Sequence, residues 1–311
     1  HFFRYLIKEC NLDLGSSFIS RNAIPNYSIQ FMSLAFLFPG QGSQVKGMGT
    51  DVFHRYPELI DQANQELGYS LSDLCLEDAN EQLSQTQFTQ PALYLVSFLE
   101  SKAKIDDGQI PDIAAGHSVG EFAALALAGC VSFMDGLRMV SKRGNIMSQV
   151  TGGGMAAVIG MEVEKIQSSL EQIGADQVDL ANFNSPGQVV ISGPAAQIKT
   201  TLTPLKEAGA RMVVPLKVSG AFHSRMMEEP AREFGKFLDG IRFSSPKFPV
   251  YSNVEAAPYS NGDAIAPLLV RQIHSSVRWT ELITQMRKDG ASEFLECGPG
   301  KVLTKLLRQI P

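Results

Sequence analysis

A chain of 311 residues, 44% of them hydrophobic, can bury one sizeable core, or a core with a smaller satellite. Its formal net charge of −5 and the lack of any lysine–arginine block argue against a nucleic-acid surface or a polybasic membrane patch, and no apolar run approaches the ~20 residues of a membrane-spanning helix. Four scattered cysteines, Cys10, Cys75, Cys130 and Cys297, have neither metal-ligand spacing nor a disulfide framework. They read as small buried hydrophobes or free thiols of a soluble protein in a reducing compartment, the cytoplasm.

Residues 1–31 show no sustained period and read as a leader or linker outside the main fold; their mixed charges and short apolar runs do not follow the ordered regions of a secretory signal. From Met32 the text changes. "MSLAFLFPGQGSQ" predicts a buried strand over Leu34–Phe38 that enters a glycine-rich turn. "YPELIDQANQELG" is helical, with Gly68 placed to end it, and "TQPALYLVSFLESKAK" is a long apolar helix with Pro91 suited to its first turn. "PDIAAGHS" predicts a strand and "GEFAALALAG" a buried helix ended by Gly129. A further helix runs through "VSFMDGLRMVSKRGNIMSQV", capped by Ser132 with Asp135. This alternation predicts an α/β domain with a mostly parallel sheet.

Residues 154–218 read differently. Met155–Gly160 is strand-like, Glu162–Gly174 an amphipathic helix, and Val178–Asn182 and Gln188–Ser192 are strands joined through the turn-rich "FNSPG". A helix interrupted by Pro204 and a final strand in "RMVVPLKVS" complete β-α-β-β-α-β, the ferredoxin-like order. The expected organisation is therefore a large α/β-hydrolase-like domain over 32–153 and 219–311 with a small inserted ferredoxin-like domain over 154–218. The large domain resumes with a strand in "KFPVYSNV", a helical stretch in "LVRQIHSSVRWTELITQMRKDG" and a strand-turn in "EFLECGPG". A cleft between two lobes is a common place for a small-ligand site.

"AAGHSVGEFAAL" sets one serine between two glycines where a strand pattern becomes a helix pattern. A serine held on a strained strand-to-helix turn needs glycine on both sides, because a neighbouring side chain would clash. The following helix turns its N-terminal N–H groups towards developing negative charge, so Val119 N–H is a natural oxyanion donor. A serine that merely caps the helix would leave both glycines unexplained, so Ser118 reads as a nucleophile. Of five histidines, His1 lies in the leader, His54 in a polar segment, His117 beside Ser118 where its ring cannot easily turn back, and His274 in a predicted helix. His223, in "SGAFHSRMM" where the small domain ends, is the preferred base by elimination and position. Gly136, Val140, Arg143 and Met147 share one helical stripe, with Arg138, Lys142 and Asn145 on the polar side. A guanidinium in line with an apolar face must meet an anion, pair with an acidic residue or snorkel to water; the residues alone leave these open.

"FPGQGSQ" (38–44), "TQPAL" (89–93), "GHSVGE" (116–121), "KRGNIM" (142–147), "NSPGQVVISG" (184–193), "GAFHS" (220–224), "SSVRW" (275–279) and "GPGKVL" (298–303) occur in order. Together they resemble the malonyl-CoA:acyl carrier protein transacylases and the related acyltransferases of polyketide synthases, over about residues 32–308. The resemblance implies a Ser118 nucleophile with His223 as its base, the imidazole being oriented by the backbone carbonyl of Gln272. It further implies oxyanion donors from Gln41 and Val119, Arg143 on the malonyl carboxylate, and Gln90 and Met147 in the pocket. The implied substrates are malonyl-CoA and an acyl carrier protein; acyl transfer of this kind requires no metal or redox cofactor, and one complete catalytic set in the chain predicts a functional monomer. Phe222, preceded by Ala221, resembles the malonyl-selective pattern of that family and would fill the space a 2-methyl branch needs; one methyl discriminates by only ~1–3 kcal/mol. Two other readings are an acyl hydrolase clearing carrier-protein thioesters, against which the buried cation argues, and a non-catalytic docking module for carrier proteins.

Overall fold

The structure, a computed structural model, describes residues 33–218 and 220–311. The expected leader over 1–31 and the expected junctions at Met32 and Ser219 lie outside the described residues. In chain order come β1 (Ser33–Phe38), α1 (Pro57–Leu67), α2 (Leu71–Leu76), α3 (Thr86–Asp106), β2 (Ile113–Gly116), α4 (Gly120–Leu127) and α5 (Phe133–Ser148). There follow β3 (Gly153–Ile159), α6 (Val163–Gln172), β4 (Asp179–Ser185), β5 (Gln188–Pro194), α7 (Ala195–Glu207) and β6 (Met212–Pro215). The last elements are α8 (Glu228–Leu238), β7 (Val250–Tyr251), α9 (Ile265–His274), α10 (Trp279–Lys288), β8 (Ala291–Glu296) and α11 (Val302–Leu307).

Two sheets result. The first has the order β7-β2-β1-β8 with every pair parallel, and the second the order β4-β5-β3-β6 with every pair antiparallel. Central strand β1 is apolar along its length (Ala35, Phe36, Leu37 and Phe38 are all fully buried), as expected for a parallel strand covered on both faces. The antiparallel sheet alternates: Ala156 and Val158 of β3 join the core under α6 and α7, whereas Met155 and Ala157 face the larger core. It is the predicted ferredoxin-like order, realised over Gly153–Pro215. No helix among the described residues is long and apolar enough to cross a membrane.

Several local expectations are corrected. Helix α3 begins at Thr86, because the N–H groups of Phe88 and Thr89 already donate to Gln85 O, so Pro91 lies inside the helix and not in its first turn. Pro204 does not interrupt α7. The carbonyl it leaves without a donor is that of exposed Thr200, which water can satisfy, while buried Ile198, Thr201 and Leu205 keep the helix on its sheet. Strand β4 runs on to Ser185, shrinking the "FNSPG" connector to a two-residue hairpin turn. The strand in "KFPVYSNV" is only Val250–Tyr251, and the "LVRQIHSSVRW" helical stretch breaks at 275–278 into α9 and α10.

The glycines around Ser118 have separate steric causes. A Cβ on Gly116 would lie 2.0 Å from the Gly120 carbonyl carbon, and one on Gly120 would lie 2.2 Å from Phe38 O. Strand β2, helix α4 and the end of β1 therefore close on one another at backbone contact. Ser118 sits between them at φ +52°, a left-handed conformation that costs a non-glycine residue about 1–3 kcal/mol.

Candidate active site

Ser118, on the tight turn between β2 and α4, presents its Oγ to His223 Nε2 at 2.8 Å. His223 follows β6 in a turn, also at positive φ (+57°), and is buried. Its Nδ1 lies 2.8 Å from the carbonyl oxygen of Gln272 and 3.2 Å from that of Ser275. Both oxygens can only accept, so Nδ1 carries the proton and, in the neutral ring, Nε2 is left to accept from the serine hydroxyl. Burial, reinforced by the positive charge of Arg143, pushes the His223 pKa down to about 3 and keeps the ring neutral at ordinary pH.

Arg143 of α5 is 1% exposed. Its Nη1 donates to Gln90 Oε1 at 2.8 Å, and its Nη2 donates to Gln272 Oε1 at 2.9 Å and to Ser118 Oγ at 3.2 Å. Its guanidinium also lies over the Phe122 ring. None of these partners is an anion, and buried Nε has no partner among the described residues. Burial lowers the Arg143 pKa to about 9. Of the three outcomes open for this arginine, the ion pair with a contacting acidic side chain and the snorkel to water are both absent among the described residues. What remains is a desolvated cation with unused N–H groups, next to a serine, which suits a carboxylate.

A cavity of about 80 Å3 opens in front of these groups. Gln41, Gln90, Ser118, Val119, Arg143 and Met147 line it from the parallel-sheet side; Met155, Asn182, Leu216 and Val218 line it from the other, with Phe222 and His223 between. Of the residues given a site role in the sequence, Gln41, Gln90, Ser118, Val119, Arg143, Met147, Phe222 and His223 line the cavity, and Gln272 lies behind Arg143 and His223. The backbone N–H groups of Gln41 and Val119 donate to nothing among the described residues, leaving two donors free near the serine. Gln41 Nε2 donates to Thr86 Oγ1, tying the glycine-rich turn after β1 to the start of α3. The Gln90 amide is oriented by its bond to Arg143 and donates from Nε2 to Met147 Sδ at 3.6 Å.

The other histidines stand apart from the serine hydroxyl. His117 Nε2 pairs with Asn184 Oδ1 at 2.8 Å and its ring packs by Trp279; burial lowers its pKa. His54 is in an exposed short helical turn, and His274 borders an outer groove on the far side of His223. His1 lies outside the described residues.

The structure adds three residues that pattern reading missed: Asn253, Glu121 and Tyr259. Asn253 Oδ1 accepts from Ser118 N at 2.7 Å, while Asn253 Nδ2 donates to Gly116 O at 2.6 Å. Glu121, fully buried in the first turn of α4, accepts from Tyr259 Oη at 2.5 Å, Gln272 Nε2 at 2.6 Å and Asn253 N at 3.2 Å. Burial pushes the Glu121 carboxyl up to about 7 against the pull of those donors. The one available sequence signal was an acid inside the otherwise apolar "GEFAALALAG".

The arrangement can deprotonate a serine hydroxyl, offer two N–H donors to an adjacent oxyanion and hold an anionic group beside both, which are the requirements of acyl transfer through an ester.

Comparison with known proteins places the chain among acyl transferases. The family model described as acyl transferase domain matches residues 35–310. The chain is 48% identical over 281 residues to a Bacillus velezensis protein named polyketide biosynthesis malonyl CoA-acyl carrier protein transacylase BaeC, covering 89% of this chain and 96% of the relative. It is 40% identical over 284 residues to the malonyl CoA-acyl carrier protein transacylase of Escherichia coli K12, covering 89% and 92% respectively. It also matches the polyketide biosynthesis protein ThaF of Burkholderia thailandensis at 48% identity, but spans only 24% of that longer protein. Among solved structures, the malonyl CoA-acyl carrier protein transacylase of Burkholderia pseudomallei superposes with a TM-score of 0.86 at 44% identity, covering 90% of this chain and 98% of that one. A malonyl-transacylase solved in complex with its type II polyketide acyl-carrier protein gives a TM-score of 0.86 at 38% identity, with 89% and 93% covered.

Proposed function

The chain belongs to the acyl transferase domain family, and on that premise we propose that it moves a malonyl group from coenzyme A, through an ester on Ser118, to the phosphopantetheine thiol of an acyl carrier protein in fatty-acid or polyketide biosynthesis. The observation that carries this reading is the Ser118 Oγ–His223 Nε2 contact of 2.8 Å beside a buried Arg143 that has no anionic contact. Neutral His223 takes the hydroxyl proton as Oγ attacks the malonyl thioester carbon. The resulting oxyanion accepts from the Gln41 and Val119 N–H groups. As the tetrahedral adduct collapses, the C–S bond breaks and the imidazolium returns its proton to the departing thiolate of coenzyme A. The carrier thiol then loses its proton to the same imidazole and attacks the ester carbon; the C–O bond to Ser118 breaks, and the imidazolium returns the proton to Oγ.

Arg143 binds the malonyl carboxylate, which fixes the thioester against Oγ and converts part of the encounter cost into orientation. Gln90 and Met147 support that end of the pocket, and Phe222 narrows the space at the α-carbon, which favours malonyl over a 2-methyl homologue. Both displacements are redox-neutral, and His223 supplies the proton transfers, so we assign no metal or redox cofactor. The names of the similar transacylases support the substrate pair.

The test is intact-protein mass after brief exposure to equimolar malonyl-, methylmalonyl- and acetyl-CoA, beside a Ser118→Ala control. One malonyl adduct, discharged by a holo acyl carrier protein and missing from the control, is the expected outcome. Free coenzyme A accumulating without an adduct would point to a hydrolase instead. No adduct and no turnover would leave only a docking role.

A further inference from the structure

The strained turn that presents Ser118 is clamped on both sides by side chains. Its N–H donates to Asn253 Oδ1 at 2.7 Å, and its C=O accepts from Gln272 Nε2 at 2.9 Å. The first bond gives the Ser118 N–H a partner that neither the strand nor the helix offers, and the second adds the Gln272 amide to Glu121 N, which donates to the same C=O at 3.1 Å. The two clamping residues come from distant parts of the chain, yet both are anchored on one group. Glu121 Oε1 accepts from Asn253 N, and Glu121 Oε2 accepts from Gln272 Nε2, with Tyr259 Oη adding a third donor.

The same Gln272 also meets the other two functional side chains. Its Oε1 accepts from Arg143 Nη2, and its backbone carbonyl accepts from His223 Nδ1. The amide orientation is unambiguous, since Arg143 can only donate and Ser118 O can only accept. Glu121 is fully buried, and its carboxylate has no direct contact with Ser118 Oγ, His223 or Arg143. Three donors on a buried carboxylate is a costly arrangement for packing alone, where an apolar residue in this apolar helix would serve.

We propose that Glu121 is a positioning residue. Through Asn253 and Gln272 it holds the Ser118 turn in its left-handed conformation and in register with His223 and Arg143. The inference rests on the acyl-transfer reading for its consequence, but it concerns Ser118 reactivity towards any electrophile. Loosening the turn should therefore lower the rate of the covalent step with little effect on substrate affinity.

The experiment compares wild type, Glu121→Gln and Tyr259→Phe in two assays. One is the rate of Ser118 modification by a small neutral sulfonyl fluoride, and the other is kcat and KM for malonyl loading. Tyr259→Phe removes one oxygen that bonds Glu121 and has no bond to Ser118, and it keeps the proposal testable if Glu121→Gln is poorly expressed. A Met286→Ala variant, made in the core beneath α10 and matched in thermal stability, controls for general loosening.

Glu121→Gln is expected to lower the labelling rate and kcat together by roughly tenfold or more, with KM within about threefold, and Tyr259→Phe to move the same way by a smaller factor. The Met286→Ala control should retain both rates. Labelling and kcat within about threefold of wild type in folded Glu121→Gln, or in Tyr259→Phe if the first does not fold, would overturn the proposal, as would equal losses in the stability-matched control. Wild type labelled by the sulfonyl fluoride but refusing malonyl-CoA would remove the transferase reading and leave the positioning role to be judged on labelling alone.

Discussion

On the parallel-sheet side of the cavity, Ser118, Arg143, Gln90 and Gln272 are joined by hydrogen bonds of 2.8–3.2 Å and backed by Glu121 and Asn253. The antiparallel sheet and the segment after β6 face them with Met155, the amide of Asn182, Leu216 and Val218. One wall uses buried polar groups, bonded to one another but with Arg143 Nε left without a partner among the described residues, to hold reacting atoms still. The other supplies mainly apolar surface and encloses the cavity. The first arrangement tolerates little change because every partner is shared; the second is limited mainly by volume.

The sharpest way to break that contrast is Arg143→Ala. It is expected to lower malonyl loading relative to acetyl loading by roughly 10²-fold, about 2.8 kcal/mol, read as a competition between the two thioesters in intact-protein mass. Equal losses for the two acyl groups would remove the carboxylate role.

Proton linkage tests the same wall. The folded pKa of His223 is depressed to about 3 against an ordinary value of 6.5. Neutral imidazole is thus retained on folding, and its contribution to stability is present above pH 6.5 and lost as pH falls towards 3. Two results should follow: the acid limb of kcat/KM for loading lies well below pH 6.5, and the urea midpoint of wild type falls between pH 6.5 and 3 more than that of a His223→Gln variant. An acid limb at 6.5 would mean that the free enzyme holds an open, hydrated histidine.

Phe222→Ala addresses the boundary between the walls. It should improve methylmalonyl relative to malonyl loading by roughly tenfold, within the ~1–3 kcal/mol range of a single methyl. The smallest effect is assigned to the apolar wall: Leu216→Ala should change malonyl kcat/KM by less than about threefold, since Leu216 is 37% exposed and loses little packing. A larger loss there than for Phe222→Ala would reverse the comparison.

Much of this site was legible beforehand because its signals are local. The glycines around Ser118 announce a turn too tight for a Cβ, the 3.6-residue stripe on α5 exposes Arg143 as a misplaced cation, and Ser132 caps its helix as read, accepting from Asp135 N at 3.0 Å. His223 could be chosen by elimination but not by spacing, since 105 residues separate it from Ser118. Glu121 carried almost no local signal: an acid in the first turn of a helix ordinarily reads as a surface residue favoured by the helix dipole.

What the sequence determined by itself was the alternation of elements, the turn that must carry the serine and the helix face that must carry the cation, because each depends on neighbours within a few residues. Only the tertiary structure decided which atoms satisfy them. The side-chain partners of Ser118, Arg143 and Glu121 come from residues 25 to 154 positions away, and buried polar groups are paired by whatever the packed sheets and helices bring within hydrogen-bond distance.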